Sequence, residues 1–541
     1  MLSGEYEAKG AIIMCTYLNP GNGGFYEITN SGYIDKTGMI DIINERINTT
    51  NKLICVSRPR RFGKSYAAQM LCAYYDCTCD SHSLFDDKEV SSTKHYEDHI
   101  NKYNVIYLDI AGIISDVARR DGSIKGVVNR IAESIRSDLI SDFPELEKKT
   151  GLTECMIAYT KASGKKFVFI IDEWDAIIRE AKNDTETQRA YLNLLRELFK
   201  NGNFTSKVVA AAYMTGILPI KKDKGQSAVS DFREFTILQP GPFVRYTGFN
   251  EAEVKSLCER YNMSFEQAKQ WYDGYEFKNC EHIYNPYSVM MAMNMGEYES
   301  YWRKTSAAES LITYINMNLN DLQSDIMKLI TGEHLKVNVA NFQNDFQTFK
   351  TKDDILTLLI HLGYLSYDSK EKRVRIPNEE VRLEFNDLLQ NAQHTQLAKL
   401  IEASDKLLKD TLNGNEAEVV NAIVKARESN YAPMFYNNEQ ALRYVIKFAY
   451  IICIDYYLKV EELPTGQGIA DVVFIPKRDT ALPAMIVELK WNKSADSAIE
   501  QIRAKNYPAI LKRYTGEMLL VGVNYNEKTK ERSCKIEKIT I

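Results

Sequence analysis

The sequence has no apolar run that approaches the roughly 20 residues needed to span a bilayer. Its N-terminus also lacks the basic and then apolar layout of a secretory signal. We therefore expect a cytoplasmic protein with no membrane partner. An excess of positive charge is missing as well, because the net charge is −5. Any contact with nucleic acid must then come from local basic patches.

A disulfide framework is also absent, because the ten cysteines are scattered without regular spacing, which fits reduced thiols. One dense group contains Cys72, Cys77, Cys79 and His82, and a zinc site is the alternative interpretation of it. The spacing does not form a paired CxxC motif, and the segment has the pattern of a helix. Buried thiols are therefore favoured over a metal site.

Internal repeats, low-complexity tracts and proline-rich linkers are not found, so domain boundaries must be taken from changes in residue pattern. The 541 residues, 45% hydrophobic and 26% charged, have the composition of a multidomain globular protein. In the first part, short apolar runs alternate with helical stretches, as in a parallel sheet flanked by helices. The pattern predicts an α/β block at 1–240, a largely helical block at 241–400, a helical connector at 401–430 and a block of helices and strands at 431–541.

The end of the helical block, residues 353–385, has the pattern of a helix, a basic hairpin and a second helix, which is the order of a winged helix. Contacts to phosphates by the hairpin would make DNA binding salt-dependent; its basic residues are Lys370, Lys372, Arg373 and Arg375. The alternative is a solvated hairpin, because winged helices also pack as lids within ATPases.

The first apolar run, LICVS at 53–57, is followed by Gly63, Lys64 and Ser65. A phosphate-binding loop needs backbone N–H groups aimed at the phosphates, a lysine for their charge, and a Ser or Thr for Mg²⁺. It also needs a following helix whose N-terminus favours anions. The three residues supply the end of the GxxxxGK[ST] pattern, but Arg58 stands where its first glycine belongs. By itself the pattern is therefore incomplete.

A second motif strengthens the nucleotide hypothesis. The apolar run Phe167–Ile171 is followed by Asp172 and Glu173, as in a Walker B motif, where the Asp holds Mg²⁺ and the Glu orients or activates the attacking water. Thr215 ends a further strand, where many such ATPases keep a polar residue that senses the γ-phosphate. A strand that ends in Asp-Glu is common by chance, but the motifs in this order on strand ends predict binding of ATP and Mg²⁺.

The last block contains a separate set of charged residues. Asp471 begins the apolar run DVVFIP, and Glu488 and Lys490 lie in the run AMIVELKW. Residues two apart in a strand share a face, so Glu488 and Lys490 point together and Asp471 can lie beside them. Two carboxylates and a lysine suit Mg²⁺-assisted phosphodiester hydrolysis, and zinc is less suited to oxygen ligands alone. The alternative is a group of solvated residues on strand ends.

The sequence resembles the bacterial AAA-ATPase-like proteins that carry a C-terminal nuclease domain of the PD-(D/E)XK type. The resemblance covers nearly the whole chain and rests on the motifs YIDKT (33–37), RPRRFGKS (58–65), IDEWD (171–175), MTGI (214–217), WYDGYEF (271–277), YNPYS (284–288), GYL (363–365) and IPNEEVR (376–382). It implies an α/β multidomain fold with a P-loop NTPase parallel sheet, a helical and winged-helix lid and an α/β PD-(D/E)XK nuclease-like domain. In that family RPRRFGKS is the usual phosphate loop, so Arg58 is not a defect.

The resemblance also implies roles for individual residues. Those that bind the nucleotide are Arg60, Arg61, Phe62, Gly63, Lys64, Ser65, Asp172 and Thr215. The D-x16-E-x-K spacing of Asp471, Glu488 and Lys490 matches the nuclease core, and Glu439 occupies the place of a further acidic metal ligand. Gln501 and Tyr507 correspond to supporting residues of exonuclease-like members, although their spacing is wider here.

Together these features predict an ATP-hydrolysing protein that controls a Mg²⁺-dependent nuclease acting on nucleic acid, DNA rather than RNA. The alternative is a regulatory ATP-dependent switch whose last domain binds DNA or protein without cleaving it, but the intact carboxylate and lysine set favours catalysis. AAA rings take an arginine finger from a neighbouring subunit. A homo-oligomer is therefore a further expectation, with Arg196 and Arg233 as candidate fingers.

Overall fold

The computed structural model describes residues 17–121, 123–181, 184–220, 229–277, 280–302, 322–330, 332–340, 342, 349, 351–391, 396–428, 446, 449–450, 453–464, 469–476, 482–504 and 516–540. The chain divides into two compact units, Met1–Tyr301 with Lys336–Pro377 and Trp302–Leu335 with Asn378–Ile541. The four blocks predicted from the sequence stay a prediction. Within the described part of the chain, no helix has the length and apolar content needed to cross a membrane.

The strands are β1 Leu53–Ser57, β2 Asn104–Asp109, β3 Phe167–Asp172, β4 Val209–Gly216, β5 Arg233–Phe235, β6 Phe249–Asn250, β7 Tyr275–Phe277, β8 Cys280–Tyr284, β9 Leu335–Lys336, β10 Ser366–Asp368, β11 Arg373–Arg375, β12 Tyr457–Pro464, β13 Ile469–Pro476, β14 Ala484–Trp491, β15 Glu517–Tyr525 and β16 Arg532–Thr540.

The α-helices of the first unit are Gly23–Thr29, Met39–Asn44, Lys64–Tyr75, His82–Phe85, Tyr96–His99, Ile110–Asp121, Val127–Asp142, Leu152–Ser163, Ala176–Glu180, Thr185–Phe199, Gly202–Val208, Glu251–Tyr261, Phe265–Tyr272, Pro286–Met295 and Lys352–Leu362. Those of the second unit are Leu322–Ile330, Glu379–Asn391, Gln396–Leu412, Glu416–Glu428, Cys453–Tyr456 and Ala495–Ala504. Single 3-10 turns lie at Glu89–Ser92, Pro144–Lys148 and Gly241–Tyr246.

The main sheet of the first unit has the strand order β2-β3-β4-β1-β5, and every neighbouring pair is parallel. Alternate residues of β1 enter two different cores: Leu53 and Cys55 join one, and Ile54 and Val56 join the other. Helices therefore cover both faces, as a parallel sheet requires. This three-layer arrangement confirms the α/β prediction for this part of the chain.

The remainder of the first unit contains short helices and two small sheets, ordered β6-β8-β7 and β10-β11-β9. Ser264 accepts a hydrogen bond from the Gln267 N–H at the start of helix Phe265–Tyr272, as its sequence spacing predicts. Along the chain, the helix Lys352–Leu362 and the hairpin of β10 and β11 are followed by the helix Glu379–Asn391, which belongs to the second unit; this is the predicted order of elements.

The second unit contains a mixed five-stranded sheet of order β12-β13-β14-β15-β16. β14 and β15 are parallel, and the other neighbours are antiparallel. Ile499 and Ile502 of helix Ala495–Ala504 pack on apolar residues of the central strands, including Val473 and Ile486. One face of the sheet is thereby closed by a helix, which confirms the mixed α/β class of the last block.

Candidate functional sites

The first candidate site lies at one edge of the parallel sheet. β4 lies between β1 and β3, and the carboxyl ends of parallel strands meet at the same edge, where open α/β sheets bind ligands. The phosphate-loop segment follows β1, Asp172 ends β3 and Thr215 lies at the end of β4. Three motifs that are far apart in sequence therefore converge.

The phosphate loop leads directly into the helix Lys64–Tyr75. Gly63 caps this helix with φ of 77°, in the left-handed region that favours glycine. Lys64 is 7% exposed, and its Nζ donates a hydrogen bond to the Pro59 carbonyl at 2.7 Å. Burial lowers the pKa of Lys64 to about 8, against the opposing effect of the Glu173 carboxylate. The lysine thus lies across the loop and carries its charge close to the acidic residues.

Asp172 and Thr215 are joined directly. The Thr215 hydroxyl donates to Asp172 Oδ1, and the Glu173 N–H donates to Asp172 Oδ1 at 3.1 Å and to Thr215 Oγ1 at 3.2 Å. Burial raises the pKa of Asp172, although hydrogen bonds with Ser65 and Thr215 oppose the shift. The Ser65 hydroxyl and the Asp172 carboxylate therefore lie close together. Both offer oxygen atoms, which are the ligands that Mg²⁺ prefers.

Glu173 has a backbone conformation that is uncommon for a residue with a side chain. Its φ is 51°, in the left-handed region where non-glycine residues cluster at functional sites. Its Oε2 pairs with Arg179 Nη2 at 2.7 Å. Burial favours the neutral acid, but Arg179 and Lys64 outweigh it and hold the pKa of Glu173 below its ordinary value. Glu173 is therefore favoured as a carboxylate, the form that can accept a proton.

Two residues of this site, Asp175 and Arg179, were not predicted from the sequence. Asp175 is fully buried. Its Oδ2 accepts hydrogen bonds from the N–H groups of Leu218 at 2.9 Å and Ile217 at 3.2 Å, and from Arg179 Nε at 3.2 Å. The IDEWD motif contains Asp175 and could have drawn attention to it. Arg179 follows an apolar pair in a short helix, a pattern that carries no signal of a site.

Arg58, which directly follows β1, is fully buried. Its guanidinium donates to the carbonyls of Ser57 at 2.8 Å, Phe235 at 2.9 Å and Pro240 at 3.3 Å, and to Thr247 Oγ1 at 3.0 Å. Burial lowers its pKa to about 10. Arg58 therefore ties β1 to β5 and to the segment that follows β5.

The other loop residues that were assigned to the nucleotide have different surroundings. Arg60 is partly buried, and burial lowers its pKa, with a further contribution from the nearby Arg179 charge. Phe62 is buried and its ring packs edge-on against Tyr275, 5.1 Å between centroids. Arg61 donates to the Tyr301 carbonyl and lies 4.3 Å from the centre of the Tyr287 ring. Arg60 thus faces the charged cluster, whereas Arg61 and Phe62 contact the rest of the unit.

The second candidate site lies in the mixed sheet. Asp471, Glu488 and Lys490 are 6%, 2% and 6% exposed. β13 and β14 are paired at Val472 and Val487, and Asp471 Oδ2 accepts a hydrogen bond from the Leu489 N–H at 2.9 Å. Asp471 therefore lies beside the strand that carries the other two residues.

Gln501 joins this second site from the neighbouring helix. Lys490 Nζ donates to Glu488 Oε1 at 3.1 Å and to Gln501 Oε1 at 2.7 Å, and Gln501 Nε2 donates to Glu488 Oε1. The predicted residues Glu439 and Tyr507 lie outside the described residues. Within the described residues, no group of three or more His, Cys, Asp or Glu side chains is arranged to hold a metal ion.

The comparisons with known proteins match two separate parts of the chain, one for each candidate site. Residues 21–224 match a family model described as predicted AAA-ATPase, and residues 426–535 match the PD-(D/E)XK nuclease superfamily. The chain joins an AAA-ATPase-like region to a PD-(D/E)XK nuclease-family region. An uncharacterized protein in the vnfD 5′ region of Azotobacter chroococcum mcd 1 is 21% identical over 519 residues, covering 92% of this chain and 93% of that protein.

Two solved structures show weaker likeness. The Aeropyrum pernix ORC2 protein, in ADPNP-ADP complexes, is 11% identical and has a TM-score of 0.32, covering 68% of this chain and 98% of that chain. CDC6P from Pyrobaculum aerophilum is 10% identical and has a TM-score of 0.25, covering 65% and 92%.

Three further predicted features are the candidate arginine fingers, Arg196 and Arg233, and the basic hairpin. Arg196 donates to Asn193 Oδ1 at 2.8 Å on its own helix, and Arg233 Nε donates to Asn51 Oδ1 at 3.2 Å at an edge of the sheet. In the basic hairpin, Arg375 pairs with Glu276 at 2.5 Å, while Lys370 and Lys372 are exposed.

Proposed function

We propose that this protein binds and hydrolyses ATP and thereby controls a Mg²⁺-dependent nuclease that acts in the cytoplasm on nucleic acid, DNA rather than RNA. The observation that carries the proposal is the convergence of the two predicted residue sets. In the first unit Asp172, Glu173 and Thr215 are joined by hydrogen bonds. In the second unit Glu488, Lys490 and Gln501 are joined, and Asp471 bonds to the strand that carries Glu488 and Lys490. Chance matches to short motifs would not be expected to meet in this way.

In the AAA-ATPase-like region, the N–H groups of the loop and the N-terminus of helix Lys64–Tyr75 would bind the phosphates, and Lys64 would neutralise their charge. Ser65 and Asp172 would hold Mg²⁺, which supplies charge neutralisation to a phosphoryl group when bound. Glu173 accepts a proton from the attacking water. Thr215 fixes Asp172 and the backbone of Glu173 through its hydroxyl.

In the nuclease-family region, Asp471 and Glu488 would hold Mg²⁺, because a hard cation suits carboxylate oxygens. A bound Mg²⁺ lowers the pKa of water and stabilises negative charge on phosphate oxygens. Lys490 is held between Glu488 and Gln501, where its ammonium stabilises an anionic nucleophile or the developing charge. Glu439 and Tyr507 remain proposed contributors to this site.

The test is cleavage of labelled single- and double-stranded DNA and RNA with Mg²⁺, with and without ATP. We compare the wild type with Glu488→Gln, Lys64→Ala and the control Glu527→Gln, an exposed acid in the turn after β15. We expect cleavage of DNA that is lost in Glu488→Gln and kept in Glu527→Gln. We also expect ATP to change cleavage only where Lys64 is present.

No cleavage of any substrate, together with intact ATP hydrolysis, would support the alternative of a regulatory switch. Loss of cleavage in both Glu488→Gln and Glu527→Gln would show a general effect of removing acids from this unit. ATP binding that is unchanged in Lys64→Ala would refute the assignment of the nucleotide site.

Two further parts of the proposal concern partners. The exposed Lys370 and Lys372 of the hairpin bind phosphates within a winged-helix-like segment, so their replacement by Ala should reduce the salt dependence of DNA binding. A homo-oligomer that exchanges an arginine finger should form on addition of ATP, which analytical ultracentrifugation measures. A monomer at all ATP concentrations would refute that part.

A further inference from the structure

Arg179 lies in the AAA-ATPase-like site, but the proposed function gives it no role in binding or hydrolysing ATP. Its side chain is 11% exposed. Nη2 donates to Glu173 Oε2 at 2.7 Å, and Nε donates to Asp175 Oδ2 at 3.2 Å. A guanidinium holds its donors in a fixed planar fork, so bonds to two carboxylates determine both its position and its orientation.

Asp175 is itself held in place. It is fully buried, and it accepts the N–H groups of Ile217 and Leu218, which directly follow β4. The absence of a side chain at Gly216 makes room for it, because a Cβ there would lie 3.0 Å from Asp175 Oδ1 and 2.6 Å from Trp174 Nε1. The strand that carries Thr215 therefore also determines where Arg179 lies, through Asp175.

Glu173 is fixed from two sides. Its backbone N–H bonds to Asp172 and Thr215, and its carboxylate bonds to Arg179 through Oε2. No described residue donates a hydrogen bond to the second oxygen, Oε1, which can therefore accept a proton from water. A carboxylate on a flexible side chain would otherwise have to be ordered in each turnover, and misplacement of about 1 Å can cost 100-fold in rate.

We propose that Arg179 is a positioning residue of the ATPase site, which fixes the carboxylate of Glu173 for activation of the attacking water, and that Asp175 fixes Arg179. The inference rests on the ATP hydrolysis in the proposed function. It differs from a phosphate-binding role, because the guanidinium donates to the carboxylates of Glu173 and Asp175. Arg179 therefore acts on the rate through Glu173.

The test is steady-state and single-turnover ATP hydrolysis by the full chain. The variants are Arg179→Ala, Arg179→Lys, Glu173→Gln and the Glu173→Gln/Arg179→Ala double variant. The control is Arg119→Ala, which removes an arginine from an exposed helical ion pair with Asp116. Binding of a fluorescent ATP analogue and thermal unfolding are measured for each protein.

We expect Arg179→Ala to lower kcat about 10- to 100-fold, because a poorly held base loses part of its effect. KM and the affinity for the ATP analogue should stay within about threefold if Arg179 makes no phosphate contact. Arg179→Lys should recover only part of the rate, because an ammonium cannot reproduce the fork. With Glu173→Gln already present, Arg179→Ala should lower the residual rate by less than about threefold, since residues that act as a unit are not additive.

An unchanged kcat in a folded Arg179→Ala would overturn the inference while the ATPase proposal stands. A loss of the same size with and without Glu173, or a large rise in KM, would also overturn it, since Arg179 would then act on the phosphates directly. If Arg179→Ala does not fold, Arg179→Lys gives the same comparison. No hydrolysis by the wild type would overturn the proposed ATPase and this inference together.

Discussion

Replacing Arg58 by glycine restores the generic phosphate-loop pattern GxxxxGKS, yet we expect it to destabilise the first unit. The substitution removes a fully buried guanidinium that donates to the carbonyls of Ser57, Phe235 and Pro240. The three carbonyls would be left in the interior without this donor. The sequence pattern and the physical chemistry of the site therefore predict opposite outcomes.

The size of the effect follows from the contacts. A buried polar group that loses its partner costs about 1–3 kcal/mol, and a carbonyl with a second acceptor position falls at the lower end. Three carbonyls then give about 3 kcal/mol. Added backbone entropy from glycine contributes about 0.5–1 kcal/mol, and water that enters the vacated polar space recovers part of the loss. We expect a net loss of about 3 kcal/mol in the free energy of unfolding.

Urea unfolding measures the loss in the free energy of unfolding. Hydrogen exchange on peptides that cover β1 and β5 shows whether the main sheet of the first unit is the part that is destabilised. Arg58→Ala should lose about 0.5–1 kcal/mol less, since it lacks the glycine term. The exposed control Arg119→Ala should change stability by no more than about 0.5 kcal/mol. The reasoning is refuted if Arg58→Gly unfolds at the wild-type urea concentration and binds ATP at least as tightly as the wild type.

Two other substitutions test separate parts of the molecule. Burial lowers the pKa of His361 to about 3, well below its unfolded value of about 6.5. Its stabilising effect is therefore present above pH 6.5 and is lost as the pH falls, by about 1.4 kcal/mol per unit. The drop in unfolding free energy between pH 7 and 5.5 should be about 1.4 kcal/mol smaller in His361→Leu; equal drops would contradict the pKa. Gln501→Ala should lower Mg²⁺-dependent cleavage about tenfold by releasing Lys490 and Glu488, measured on the labelled substrate that the wild type cleaves. Full activity would show that the bridge has no part in cleavage.

The sequence alone predicted the α/β class because the strands of the first sheet are short, continuous apolar runs, which are typical of buried parallel strands. Phe167–Ile171 is buried throughout, as an interior strand of a parallel sheet must be. The shared face of Glu488 and Lys490 also followed from the period of a strand. Features with a fixed geometric period could therefore be predicted from local sequence.

Other features depend on contacts between residues distant in sequence. Arg179 has no motif, and only its bonds to Glu173 and to the anchored Asp175 show that it belongs to the nucleotide site. Gln501 was placed by family resemblance, whereas its bonds to Lys490 and Glu488 depend on how the helix packs on the sheet. Tertiary packing determines such partners, and no local pattern contains them.

The arginine at position 58 is compatible with a phosphate loop because glycine is required only where the backbone needs it. The loop has positive φ at Arg61, 68°, and at Gly63, 77°, and Arg58 is not among the residues with positive φ. A residue with a side chain carries no conformational penalty at an ordinary φ. Position 58 can then hold a long side chain that donates hydrogen bonds to the carbonyls of Ser57, Phe235 and Pro240. The same reasoning identifies Gly63 as a position where a side chain would be strained, although the space around its missing Cβ is open.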